Sequence, residues 1–291
     1  MYNSIEDMLR LAKEENKPLY QIILDNEVRL SESSEKEVLE RLNKRYRVME
    51  EGAAKALTTE RKTVGSLITG ITKPQYEYAK KGDTLCGDFL NIVMARALSC
   101  SEVNASMGKI CAAPTAGACG ILPAVLISLA EKEELPRKKV LEGLLIASGV
   151  GAVIMKNATV AGAEGGCQAE CGVAAAMAAA AAVYLKGGTD EMIADSVAIS
   201  LMNCMGLVCD PVAGLVQVPC AQRNASQAVN ALLSADLILA GMKSIIQPDE
   251  VVDAMYRVGK LLPYQLKETA LGGIAKTKTG QAIAAEIFGK E

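Results

Sequence analysis

The chain has 291 residues, 50% of them hydrophobic, and 31 Lys+Arg against 34 Asp+Glu leave a net charge of −3. That length can bury one large core or two smaller ones, and a weakly acidic chain with no basic block offers no footprint for nucleic acid or an anionic membrane. Aromatic residues are only 3% and Trp is absent, which removes the stacking platform of single-strand binders.

From the N-terminus, Met1–Lys17 has no basic segment leading into an apolar run, so no secretory signal is expected. Ser34 and Glu37 then make a capping-box pattern, and Val38, Leu42, Tyr46, Met49 and Ala53 recur at helical spacing. Glu37 with Arg41 and Glu40 with Lys44 add i,i+4 pairs, which predicts a helix of the outer shell with one solvent-exposed side. Near Arg61 the composition shifts towards Gly, Ala, Thr and Cys. We divide the chain there, into a charged amphipathic helical segment (1–60) and a larger domain (61–291) that carries every cysteine.

Pro123 and Pro136 stand where first helical turns would begin, and Gly120 punctuates the approach to Pro123. Helices are predicted over Leu122–Lys132, Pro136–Lys156 and Cys171–Lys186, the last stopped by Gly187-Gly188. Thr189 caps a further helix to about Met205, and a final pair covers residues 225–246 and Pro248–Leu261. Leu215–Val218 is the one short β-branched run, so the fold class is all-α, with Gly/Ala-rich helices packed closely. Two uncharged stretches call for a membrane check. Cys111–Ala130 is interrupted by Pro114, Gly117, Gly120 and Pro123, and Cys171–Leu185 is shorter than the roughly 20 residues a spanning helix needs. Both read as buried core helices.

The chain contains nine cysteines and no histidine. Histidine is the usual base and metal ligand near neutral pH. Without it, soft thiolates remain as metal ligands, suited to zinc, copper(I) or iron–sulfur clusters. Cys167-x₃-Cys171, Cys204-x₄-Cys209 and a separate Cys220 contain no CxxC pair, which argues against a zinc ribbon or a thioredoxin-like site. Most of these thiols are accounted for as small buried hydrophobes. Cys209 before Asp210-Pro211, Cys220 after Val218-Pro219 and Cys167 after Gly165-Gly166 differ, because each stands on a chain reversal that can turn a sulfur into a shared site. Nine thiols in a chain of this length fit a reducing, cytoplasmic setting.

The segments Ala113–Val125 (APTAGACGILPAV), Ala161–Val173 (AGAEGGCQAECGV) and Met205–Ser226 (MGLVCDPVAGLVQVPCAQRNAS) resemble the iron–sulfur L-serine dehydratases, in particular the α subunit of the two-chain form. The resemblance runs from about Arg61 to the end, where Leu266–Lys276 is similar to the family's closing segment. It implies that Cys167, Cys209 and Cys220 hold a [4Fe-4S] cluster, leaving one iron without a protein ligand. That iron would serve as a Lewis acid for the substrate hydroxyl. It further implies conversion of L-serine to pyruvate and ammonia, and a separate β subunit carrying a Ser-Ser-His-Thr segment that this chain lacks, hence a hetero-oligomer. The chain ends Phe288-Gly289-Lys290-Glu291, without the terminal cysteine that can cap the fourth iron in single-chain members. A related lyase releasing sulfide from cysteine, or a non-catalytic iron–sulfur sensor, would carry similar cysteines.

Serine's carboxylate and ammonium need polar partners. Thr115, Ala116 and Gly117 precede the Pro123 helix, where free N–H groups and the helix dipole favour an anion. Thr69 and Gly70 stand in a similar Gly/Thr loop, and Arg223 follows Cys220 as a possible carboxylate partner or a structural bridge. Glu164 and Glu170 flank Cys167 as candidate ammonium acceptors, orienting groups or bases, or as ordinary helix-start carboxylates. Lys109 and Lys156 are candidate bases on condition of burial.

Overall fold

The computed structural model describes residues 1–289, so Lys290 and Glu291 of the chain's end lie outside it. Among the described residues the fold is all-α. The one β-type pairing is a parallel bridge between Cys209 and Lys267.

Three helices open the chain: α1 (Ile5–Glu15), α2 (Leu19–Ser31) and α3 (Glu35–Thr58). The capping box predicted at α3 is formed. Glu37 N–H donates to Ser34 Oγ at 3.3 Å, and Ser34 N–H donates to Glu37 Oε2 at 2.8 Å. All five residues of the predicted stripe, Val38, Leu42, Tyr46, Met49 and Ala53, are buried. They join Ile5, Met8 and Ile23 of α1 and α2 in the same core that runs through the Cys-rich part of the chain. Asp249 ties the two ends of the chain together by accepting Ile5 and Glu6 N–H, each at 2.9 Å.

A loop leads to α4 (Thr72–Ala79) and α5 (Gly87–Ala105). Glu102 of α5 is fully buried and organises that loop. It accepts the N–H groups of Arg61 at 2.7 Å, Gly70 at 3.2 Å and Thr72 at 3.2 Å, and the Thr72 hydroxyl at 2.8 Å. Removing the carboxylate would strand the buried Thr72 N–H and two part-buried ones, each costly to leave unpaired. Glu102→Ala is therefore expected to cost about 3–5 kcal/mol, measured as a drop in urea midpoint at unchanged slope. A loss under about 1 kcal/mol would show that water replaces the carboxylate.

The centre is α9 (Val173–Leu185), in which every residue except Tyr184 is buried. It is surrounded by α6 (Ile121–Lys132), α7 (Arg137–Asn157), α10 (Asp190–Met202) and α11 (Cys220–Leu239). Alanine supplies most of its surface, so the neighbouring helices approach without long side chains intervening. The predicted starts hold at Thr189, whose hydroxyl caps α10, and at Pro248, the first residue of α12 (Pro248–Leu261). The helix expected over 225–246 instead begins at Cys220 and ends at Leu239, and α10 stops at Met202. Leu215–Val218 forms no strand. Val212 N–H donates to Val218 O at 2.8 Å and Gln217 N–H to Leu215 O at 2.7 Å, folding the run into turns. A short α8 (Gly162–Gly165) and a terminal α13 (Lys278–Phe288) complete the element set.

Arg137–Asn157 and Gln168–Leu185 are long and apolar enough to cross a membrane, but 61% and 89% of their most apolar windows are buried inside the fold. That is how core helices behave.

Candidate active site

Three loops carry the cysteines singled out by the sequence. The first runs from α8 through Gly166, whose φ of 77° suits glycine, into Cys167 and a π-helical turn at Gln168–Gly172 that feeds α9. Gln168 is fully buried and staples this turn in place. Its Oε1 accepts Gly206 N–H at 2.8 Å, and its Nε2 donates to Gly165 O and Met255 O, both at 3.0 Å.

The second loop carries Cys209 and Asp210. Cys209 N–H donates to Leu266 O at 2.9 Å, and Cys209 O accepts Glu268 N–H at 2.8 Å, so the closing segment of the chain runs beside it. Asp210 accepts Arg223 Nη2 at 2.9 Å and Ile274 N–H at 2.8 Å, while Arg223 Nη1 donates to Val208 O at 2.7 Å. Arg223 thus brackets Cys209 from both sides, which is the structural-bridge alternative for this residue.

The third loop reaches Cys220, the first residue of α11. Asn224, one turn on, donates to Cys220 O at 2.9 Å and to Gly117 O at 2.7 Å, and accepts Gly120 N–H at 2.9 Å. It locks the Cys220 helix start onto the loop before α6.

All three sulfurs are buried, at 2% exposure for Cys167, 3% for Cys209 and 8% for Cys220. The Cys171 thiol and the Arg223 guanidinium hold the Cys167 thiol below its ordinary value, against burial. Burial, reinforced by Cys167, pushes Cys209 up and Cys220 up to about 12. The three sulfurs therefore lie within one another's fields. A methyl group on Gly162 would sit 3.2 Å from Cys209 Sγ, 3.3 Å from Glu170 Oε2 and 3.4 Å from Glu268 Oε2, so a thiol and two carboxylates converge on a spot where glycine leaves room.

Among the described residues no three acidic or cysteine side chains close on a single metal ion. Thiolates around one zinc, each about 2.3 Å from it, would have to crowd together. In a four-iron cubane each thiolate takes its own iron, so three buried sulfurs from three loops are a donor set that such a group could use.

The other predicted residues divide clearly. Gly117 packs directly on Glu170, since a methyl there would lie 2.5 Å from Glu170 Oε1. Thr115 donates its hydroxyl to that same oxygen. The N–H groups of Thr115, Ala116 and Gly117 donate to no described residue and stand ahead of α6. Thr69 and Gly70 spend their polar groups on structure: Thr69 Oγ1 on Thr63 of its own loop and the Gly70 N–H on Glu102 of α5. Lys109 and Lys156 are both exposed, so neither has the burial a lysine base requires, and Lys156 donates to Asn3. Glu164 is exposed and accepts the Thr159 hydroxyl at 2.7 Å. Glu170, not Glu164, faces the cysteines. It is 9% exposed, and burial raises its carboxyl above the usual range, opposed by Thr115 and assisted by Glu268.

Sequence reasoning missed Gln168, Asn224 and Glu268. Gln168 and Asn224 stand within the conspicuous motifs, one residue past Cys167 and four past Cys220, where a buried amide is a plausible loop staple. Glu268 lies 59 positions beyond Cys209 (268 against 209) and gives no local signal.

The family model described as serine dehydratase alpha chain matches residues 14–275. The chain is 49% identical over 288 residues to the L-serine dehydratase alpha chain of Peptoniphilus asaccharolyticus, covering 99% of both. It is 40% identical over 289 residues to the probable L-serine dehydratase alpha chain of Bacillus subtilis, covering 99% of this chain and 96% of that one. To the L-serine dehydratase TdcG of Escherichia coli it is 32% identical over 284 residues, which is 94% of this chain and 61% of that protein.

Proposed function

The chain belongs to the serine dehydratase alpha-chain family, and we propose that it is the catalytic α subunit of an L-serine dehydratase, a lyase that yields pyruvate and ammonia in the cytoplasm. The observation that supports this reading is that Cys167, Cys209 and Cys220 are all buried, on three loops that Gln168 and Arg223 tie to one another, with Cys209 Sγ beside Gly162 and Glu170. Those cysteines are the residues that would hold a [4Fe-4S] cluster. When bound, the cluster would supply a Lewis-acidic iron that makes the substrate's C3 hydroxyl a better leaving group.

The chain's own residues supply recognition and rigidity. The free N–H groups of Thr115, Ala116 and Gly117, at the N-terminal end of α6, are suited to the substrate carboxylate. Asn224 fixes that N–H turn against the Cys220 helix start, so anion site and sulfur keep one spacing. Glu170, anchored by Thr115, presents its second oxygen to the same space. Loss of the Cα proton and the C3 hydroxyl removes water and leaves aminoacrylate. This tautomerises to an imine, which takes water back and releases pyruvate and ammonia. No net redox change occurs. The base for the Cα proton is assigned to a separate β subunit bearing the Ser-Ser-His-Thr segment. The relatives named as alpha chains support such a partner.

The test is protein prepared without oxygen together with its β partner, assayed for iron, sulfide and pyruvate release. Turnover of L-serine above L-cysteine and L-threonine, with about four irons per α chain, is expected. Absence of iron, or faster sulfide release from L-cysteine, would overturn the assignment.

A further inference from the structure

The Cys209 loop brings a residue to the site that none of the motifs contains. Glu268 lies in the closing segment, paired through its backbone with Cys209, and adopts a φ of 61°, a left-handed conformation uncommon for a residue with a long side chain. Its Oε2 points to the spot beside Gly162 that Cys209 Sγ and Glu170 Oε2 also face. Glu170 is nine-tenths buried, and only its Oε1 is satisfied, by Thr115. Among the described residues its Oε2 takes no hydrogen bond. The Arg223 guanidinium, which borders the Cys209 loop, is committed to Asp210 and Val208. Two carboxylate oxygens turned to one spot, neither paired with a cation among the described residues, are matched by a positive group from outside the chain.

Against the same carboxylate, from a distant part of the chain, stand the unpaired N–H groups of Thr115–Gly117, with Gly117 in contact with Glu170. Adjacent positive-seeking and negative-seeking groups match a zwitterion whose ammonium and carboxylate share one carbon. We infer that Glu268 is a specificity residue of this site: its carboxylate and Glu170 Oε2 together receive the ammonium group of an α-amino acid, while the Thr115 turn receives the carboxylate. The inference rests on the dehydratase reading and adds to it the group that distinguishes an amino acid from a hydroxy acid.

The test uses the cluster-loaded α chain with its β partner, as wild type and as Glu268→Gln. The substitution keeps the backbone pairing with Cys209, which does not involve the side chain. Two ligands are compared: L-serine, through its KM, and 3-hydroxypropanoate, which lacks the ammonium, through its inhibition constant. A charge-assisted hydrogen bond lost to a neutral amide is expected to raise the KM for L-serine about 10- to 100-fold. The constant for 3-hydroxypropanoate should stay within about twofold, which also shows that the variant site is folded. Equal weakening of both ligands, or of neither, with normal wild-type turnover, overturns the role of Glu268 alone. A wild-type complex that neither binds nor turns over L-serine overturns the dehydratase reading and this inference with it.

Discussion

Replacing any one of Cys167, Cys209 and Cys220 with Ser is expected to strip the anaerobically prepared protein of its iron and its visible iron–sulfur absorbance. The serine oxygen is a harder, far less acidic donor than a thiolate, and soft ligands are what such a cluster selects. The three positions are not equivalent in their surroundings. Cys167 is held by the Gln168 staple, Cys209 by the closing segment and Cys220 by Asn224. The shared phenotype would therefore come from the sulfur and not from one common packing defect. Two controls separate ligands from bystanders. Cys86 is exposed, and Cys204 is buried with its thiol donating to Leu201 O at 3.4 Å. Cys86→Ser and Cys204→Ala should both keep full iron content. Iron retained in any of the three ligand variants, with the helical fold intact by circular dichroism, would remove that residue from the set.

The second large effect concerns the chain in isolation. The cluster-loaded α chain alone should turn over L-serine at least about 100-fold more slowly than the same chain with its β partner, the low end of what general acid–base catalysis contributes. The chain has no histidine. Lys109, Lys156 and Glu164 are exposed, and Glu164 is already engaged by Thr159. Measuring pyruvate release with and without the partner decides the matter. Turnover by the lone chain within about tenfold of the complex would sink the two-chain mechanism and leave Glu170 as the base.

The parts of this architecture that announce themselves in sequence are those with local chemistry. The Ser34–Glu37 box, Thr189 and Pro248 mark helix starts because caps act within one turn. By contrast α5 left no stripe to read. It is buried on several sides, including polar Arg96, Ser99 and Glu102, whose partners come from other elements. The same holds at α11. Its start contains Arg223 and Asn224, which read as loop but are helical residues committed to the Cys209 loop and to the loop before α6. The choice between Glu164 and Glu170 was closed to sequence for a geometric reason. The π-helical turn at Gln168–Gly172 changes the helical phase after Cys167, turning Glu170 inward while Glu164 stays outside. The loops that carry Cys167, Cys209 and Cys220 were legible as chain reversals, whereas Glu268 is brought beside Cys209 only by the tertiary pairing.

That pairing bears on the order in which the molecule can be made. The backbone of Cys209 is satisfied by Leu266 and Glu268, and the Asp210 carboxylate by Ile274. A chain emerging from the ribosome therefore carries all three cysteines well before it possesses the strip that fixes the middle one. Until the last few dozen residues are free, the Cys209 loop has no edge to lean on. On the proposed reading, iron and sulfide would be taken up only once this strip is in place, and a nascent chain arrested ahead of Leu266 would offer its thiols to oxidants without a finished Cys209 loop.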